Sequence, residues 1–271
     1  MTQALVRGDL EQRRRHERAA LRARRLTALL PPVLLGAAIL ALWVAWAPRL
    51  GPILLPSPSS VIAALGELSA TGDLWPAAAT TAWTALRGVL LAVVVAAPLA
   101  WVIVHSRYAA AALEPYIAAS QAIPAVAIAP LLVLWFGYGS GTTALLAALM
   151  VFFPVVVTGA VGLRSLDREV LDAARVDGAG TARMLRHLEL PLALPHLLAG
   201  IRVGVTLAMI GAIVGEFVIG GEGLGRLLVA ARDRADTSAL FATLLVVCAV
   251  SMTGYGLVRL AEYRASLMTE R

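Results

Sequence analysis

The sequence has no lysine. All 23 of its basic residues are arginines, and a phosphate-binding loop of the form GxxxxGK[ST] needs a lysine amine to reach nucleotide phosphates, so the chain cannot build a Walker-type ATPase site of its own. Cysteine is almost absent too: the one thiol, Cys248, lies in an apolar run, which excludes an intrachain disulfide and a cysteine metal cluster. The four histidines, His16, His105, His187 and His196, stand in no metal-ligand spacing. No Ser-His-Asp, Cys-His or paired-carboxylate arrangement occurs at a usable spacing, and the glycine-rich segments at 137–141 and 220–225 miss the GxGxxG pattern. Neither enzyme chemistry nor a cofactor is expected. Charge is also scarce: 15% charged against 59% hydrophobic residues leaves too little polar surface to cover a soluble globule of 271 residues.

What the sequence does have is long apolar runs. Charge vanishes over 26–47, 88–104, 115–163 and 237–258, and the run at 190–215 is interrupted only by Arg202. The run at 115–163 is long enough to cross a bilayer twice, and Gly137-Tyr138-Gly139-Ser140-Gly141 marks its turn. The expected fold is therefore all-α: a polytopic membrane protein of six transmembrane helices over 26–262, with a basic tail at 1–25 and a C-terminal tail at 263–271. Ala45-Trp46-Ala47 mimics a signal-peptidase site, but the preceding apolar run is long for a cleaved leader and reads as an anchor. Eight arginines in the N-terminal tail and five in 164–189 place these segments and both termini in the cytoplasm, with 48–85, 137–141 and 219–236 outside. The net charge of +6 and pI near 10.4 are explained by this orientation, so no nucleic acid partner is expected. Within 48–85, Ser57, Ser59 and Ser60 precede a half-apolar helix lying near the interface.

The stretch 164–191 is long for a cytoplasmic turn and carries its own helical punctuation. Asp167 can cap a helix on which Val170, Leu171 and Ala174 share a face, Gly178 suits its stop, and a second short helix from Thr181 ends as Leu190-Pro191 enters the next span. The pattern reads as a docking element and not a catalytic site. Inside the spans, Arg202 and Glu216 are expensive ionisable residues and candidates for a solute path. Gly200, Gly204, Ala208 and Gly211 form a packing face on the fifth helix. The third helix, broken by Pro124 and Pro130, is expected to line the path with it.

Asp172-Ala173-Ala174, then Gly178, then nine residues and Leu188-Glu189-Leu190-Pro191 resemble the EAA loop of ABC importer permeases. Asp172 replaces the usual Glu and Leu188 the usual Ile. Leu55-Pro56-Ser57-Pro58, Gln121-Ala122-Ile123-Pro124, Pro130-Leu131, Leu134-Trp135-Phe136-Gly137 and Gly223-Leu224-Gly225 extend the resemblance, over roughly 50–262, to the permeases for nitrate, sulfonates, taurine and thiamine or flavin precursors. The resemblance implies a bacterial cytoplasmic-membrane subunit that works as a dimer. Cytoplasmic ATP-binding subunits would grip the EAA loops through Asp172, Ala173, Ala174, Gly178, Leu188, Leu190 and Pro191, and an extracytoplasmic binding protein would deliver a small solute. Gly215-Glu216-Phe217 ahead of Gly223-Leu224-Gly225 is more similar to permeases for thiamine-pyrimidine or flavin precursors than to those for sulfonates. An ion-coupled secondary transporter is the competing reading; it would prefer buried carboxylates in the spans, where only Glu216 stands, near a boundary.

Overall fold

The protein's structure, a computed structural model, describes residues 30–269. The basic tail expected at 1–25 lies outside the described residues. The chain divides into two units, 1–61 and 62–271. In the first, α1 (Leu30–Leu50) is followed by a turn at Gly51, and the Trp43 indole donates to the Pro56 carbonyl at 2.8 Å. Then α2 (Pro58–Ala70), most of which belongs to the second unit, begins where Ser57 caps it, its hydroxyl accepting from the Ser60 amide.

The second unit is a helical bundle, and no strand forms among the described residues. It comprises α3 (Leu74–His105), α4 (Arg107–Ser120), α5 (Ala125–Phe136), α6 (Ser140–Arg164), α7 (Arg168–Val176), α8 (Thr181–Met184), α9 (Leu190–Val218), α10 (Leu224–Asp233) and α11 (Thr237–Thr269). A π turn over Leu185–Glu189 joins α8 to α9 without a break, giving one helical rod over Thr181–Val218. With α1, α3, α6 and α11, this rod makes five helices long and apolar enough to cross a bilayer.

Several boundaries differ from the sequence reading. The span expected from residue 88 belongs to a helix that starts at Leu74, inside the stretch assigned to the exterior. Residues 106–114, which separate the uncharged runs at 88–104 and 115–163, do not form a loop: Ser106 accepts from the Ala109 amide and caps α4, whose alanine-rich start favours helix. The third crossing is two pieces, α4 and α5, separated at 121–124. Pro124 sits immediately before α5, whereas Pro130 lies inside an unbroken α5 and does not interrupt it. The short helix from Thr181 does not end at Leu190-Pro191. Pro191 has no N–H for the His187 carbonyl, and its ring would crowd that carbonyl in a regular turn; the widened π turn lies directly before it, with the Leu190 amide reaching back to the Leu185 carbonyl. The stretch 263–269, expected as a tail, continues α11.

The core is built on small residues. Ala92 and Ala96 of α3, Ala147 and Val151 of α6, and Ala208 and Ala212 of α9 pack in one buried cluster. Gly200, Gly204, Gly211 and Gly215 bring α9 onto α6, where a Cβ at each would collide with Thr158, Val151, Ala147 and Thr143 respectively. The expected packing face is thus directed at α6, and close backbone approach replaces hydrophobic driving force in lipid. At Gly211 the obstacle is backbone: an added Cβ would lie 2.7 Å from the Ala147 Cα. Gly211→Leu is expected to cost about 1–3 kcal/mol through overpacking. The check is thermal melting in detergent, with Gly66→Leu, whose Cβ meets nothing within 4 Å, as the matched control.

Candidate coupling site and solute path

The helix α7, expected from the sequence as a docking element, is assembled by local chemistry. Asp167 accepts from the Glu169 amide at 2.8 Å, Glu169 places negative charge in the first turn, and Arg175 places positive charge in the last. At the other end the Gly178 amide bonds the Arg175 carbonyl and the Ala179 amide bonds the Ala174 carbonyl, both at 3.0 Å. These two bonds with Gly178 at φ +80° are a Schellman stop, so glycine is required there for its backbone conformation. A Cβ on Gly178 would meet nothing within 4 Å in this chain.

No residue of α7 is buried. Val176 is 87% exposed and Val170 44%, while Leu171 and Ala174 are half-buried. Asp172 and Arg175 pair at 2.6 Å in the open, an interaction worth about 1 kcal/mol at most. Asp172, Ala173, Ala174 and Gly178 thus share one short projecting helix and its stop. Leu188, half-buried, and Leu190 and Pro191, exposed, sit beyond the turn in the rod that leads into the bilayer.

Between Leu188 and Leu190 stands a residue that sequence reasoning did not single out. Glu189 is 4% exposed. Its Oε2 accepts from the Trp101 indole at 2.8 Å, and its Oε1 lies 3.1 Å from the His105 Nε2. The two rings, one turn apart at the end of α3, stack at 4.4 Å between centroids. A polar cavity of about 540 Å³, lined in part by His105, Arg164, Asp172, Arg175 and Glu189, opens beside this contact.

Glu216 has a comparable enclosure at the opposite end of the rod. Its carboxylate accepts from the Thr81 hydroxyl at 2.8 Å and from the Gly225 amide at 2.6 Å, while the Thr81 oxygen accepts from the Leu224 amide at 2.8 Å. Thr81 and Glu216 together cap α10 from outside, since its own N-cap residue, Gly223, has no side chain to do so. A Cβ on Gly221, Gly223 or Gly225 would press into Glu216. Glu189 and Glu216 are separated by about 40 Å of rod at 1.5 Å per residue, more than the roughly 30 Å thickness of a hydrocarbon core.

Arg202 faces α11. It lies 3.2 Å from Glu262 and 5.5 Å from the centre of the Tyr255 ring. Glu262 Oε2 has no donor aligned to it, so the contact is an ion pair without hydrogen-bond geometry. Arg87, not singled out either, has a buried Nε without a hydrogen-bond partner. It stands about 27 Å of helix from His105.

The break at 121–124 opens on a cavity of about 370 Å³ between the start of α5 and the middle of α6, lined by Gln121, Ile123, Met150, Phe153, Pro154 and Leu207 among others. Pro154 has no N–H for the Met150 carbonyl, and none of the lining side chains is ionisable. Pro124 and Pro130 are exposed, on the break and on the open face of α5. The structure does not bring Arg202 or Glu216 into this cavity.

Residues 88–266, about two thirds of the chain, match the family described as binding-protein-dependent transport system inner membrane component. The riboflavin transport system permease protein RibX of Chloroflexus aurantiacus is 41% identical over 209 residues, covering 77% of this chain and 78% of that one. A probable ABC transporter permease of Haemophilus influenzae is 37% identical, covering 84% and 93%. The formylaminopyrimidine transport permease protein ThiX of Halalkalibacterium halodurans is 31% identical, covering 86% and 93%. Among solved structures, the inward-facing MetNI methionine ABC transporter shares the fold, with a TM-score of 0.59 at 17% identity over 70% of this chain and 97% of that one. The chain belongs to the binding-protein-dependent transport system inner membrane components: it is a multi-pass permease subunit of an ATP-binding-cassette importer.

Proposed function

We propose that two copies of this chain form a solute path across the cytoplasmic membrane, with both termini in the cytoplasm, and that a separate ATPase drives it by gripping α7. The observation that carries this reading is α7 itself: a capped helix with a fixed stop, no buried residue, and open space beside Gly178. The lack of lysine supports the assignment of ATP hydrolysis to another chain. An extracytoplasmic binding protein delivers the solute. Copurification of a Walker-motif ATPase with the tagged permease tests the assembly, and solute uptake driven by ion gradients in the purified chain alone would overturn it in favour of a secondary transporter.

The path runs past the broken third crossing, along Pro124, Pro130 and the cavity at Gln121 and Phe153. Broken helices at mid-membrane are the recurrent place for solute contacts in transporters. The lining supplies an aromatic face, a thioether and an amide with one donor and one acceptor side, without charge. That chemistry suits an uncharged flat heterocycle better than a sulfonate or nitrate. The relatives named for riboflavin and formylaminopyrimidine point to the same class. Arg202 and Glu216 have partners within the protomer, in Glu262 and in Thr81 with Gly225, and in this reading they hold the walls. Phe153→Ala is expected to lower riboflavin uptake into proteoliposomes containing the full transporter by about three- to tenfold, the worth of an aromatic stack. Unchanged uptake would remove this cavity from the path.

A further inference from the structure

The contact of Glu189 with Trp101 and His105 has a proton requirement fixed by its geometry. His105 Nδ1 lies 2.9 Å from the Trp101 carbonyl, and a carbonyl only accepts, so Nδ1 carries hydrogen. The remaining ring nitrogen, Nε2, faces Glu189 Oε1 at 3.1 Å. A neutral imidazole with hydrogen on Nδ1 has a lone pair at Nε2, and an ionised carboxylate has only lone pairs. The contact is therefore attractive only while one proton is held between the two atoms, as imidazolium with carboxylate or as imidazole with carboxylic acid.

We infer that Trp101, His105 and Glu189 form a proton-held latch that fixes the docking loop to the end of α3. Glu189 closes the π turn at the foot of that loop, so the latch ties the segment moved by the ATPase to a second membrane-spanning helix. The cavity beside it leaves His105 partly exposed, with 30% of its side chain accessible, so protons exchange with the cytoplasm. The other charged groups facing the cavity are Arg164 of α6, paired with Glu114 of α4, and Arg168, Asp172 and Arg175 of α7. Arg183, Arg186 and His187 stand on α8 and the π turn, and no ion pair among the described residues ties them to Glu189. When alkaline conditions remove the shared proton, two acceptors face each other, Trp101 alone holds Glu189, and motion of α7 is passed to α3 less faithfully. These are positioning residues: none of them touches ATP or solute.

The inference rests on the reading that α7 docks the ATPase, and the test separates the two. Solute-stimulated ATP hydrolysis by the complete transporter in proteoliposomes, with its binding protein, is followed from about pH 6 to about pH 9. Stimulation by wild type is expected to fall about fivefold across this range, a coupling loss of ordinary size. His105→Gln is expected to give a flat profile, because its amide N–H donates to Glu189 at every pH. Glu189→Gln is expected to lose the alkaline fall, because its amide N–H donates to the unprotonated His105 Nε2 while its carbonyl accepts from Trp101. Both variants work with the same ATPase and binding protein as wild type, so pH effects on those partners are common to all profiles. A profile shared by wild type and His105→Gln overturns the latch alone. Absence of solute-stimulated hydrolysis in wild type overturns the docking reading and the latch with it.

Discussion

Glu216→Leu is expected to destabilise the permease by roughly 3 kcal/mol, seen as a fall of several degrees in the melting temperature of the detergent-solubilised protein. The change removes the acceptor for the Thr81 hydroxyl and the Gly225 amide, and it leaves both donors enclosed where water does not reach. A buried donor without a partner costs more than the bond it once made contributed. Glu216→Gln separates this from a purely steric effect: its carbonyl still accepts from Gly225, its amide meets the Thr81 oxygen, and the expected loss is about 1 kcal/mol. Gly225→Ala should behave like the leucine variant, because its Cβ would lie 2.5 Å from the Glu216 Cβ and 2.8 Å from its Oε2. If leucine and glutamine at 216 melt together with wild type, the cap does not hold α10. Loss of uptake without loss of stability would instead make Glu216 a solute contact.

The second large effect is expected at Gly178, on transport and not on folding. Gly178→Trp should abolish ATPase assembly while membrane insertion and the melting temperature of the isolated permease change little. The side chain would project into space that this chain leaves empty, at a strain cost of roughly 1–2 kcal/mol for a non-glycine residue at positive φ. Gly178→Asn tells the two demands on this position apart, since asparagine tolerates the left-handed backbone. If the glycine serves only to stop α7, the asparagine variant should retain assembly measured by copurification. If the ATPase surface closes over the glycine, the asparagine variant should fail as the tryptophan variant does. Full assembly and uptake by the tryptophan variant would move the docking surface elsewhere.

How much of this was legible in the sequence depended on the range of the interaction. The cap at Asp167 and the stop at Gly178 are written in residues two to five positions apart, and a helix with its turn follows from them. The glycine stripe on α9 was visible because helical periodicity alone aligns it. The partners of the buried acids were not. Glu189 meets Trp101 and His105 across 88 and 84 residues, and Glu216 meets Thr81 across 135. No local pattern announces a carboxylate enclosed by donors from a distant helix. Glu189 in particular sat inside a matched motif and passed as a spacer between Leu188 and Leu190. The pairing of Arg202 was hidden for the same reason: Glu262 lies beyond the apolar run of its own helix and gives no sign of facing α9. Proline marked the break at Pro124 correctly but was misread as a stop at two other places. Pro130 and Pro191 both lie within continuing helix, because a neighbouring widened turn or an exposed face absorbs the missing hydrogen bond.

The uninterrupted passage from α8 through the π turn into α9 has a mechanical consequence. Thr181–Val218 comprises 38 residues, so the rod is about 57 Å long at 1.5 Å per residue. Gly200, Gly204, Gly211 and Gly215 hold the half of the rod nearer Val218 against α6 as one long seam, while the half nearer Thr181 carries no such glycine contact. A displacement imposed at the Thr181 end would therefore reach the membrane as joint movement of α9 and α6, because sliding one past the other would have to break the whole seam at once.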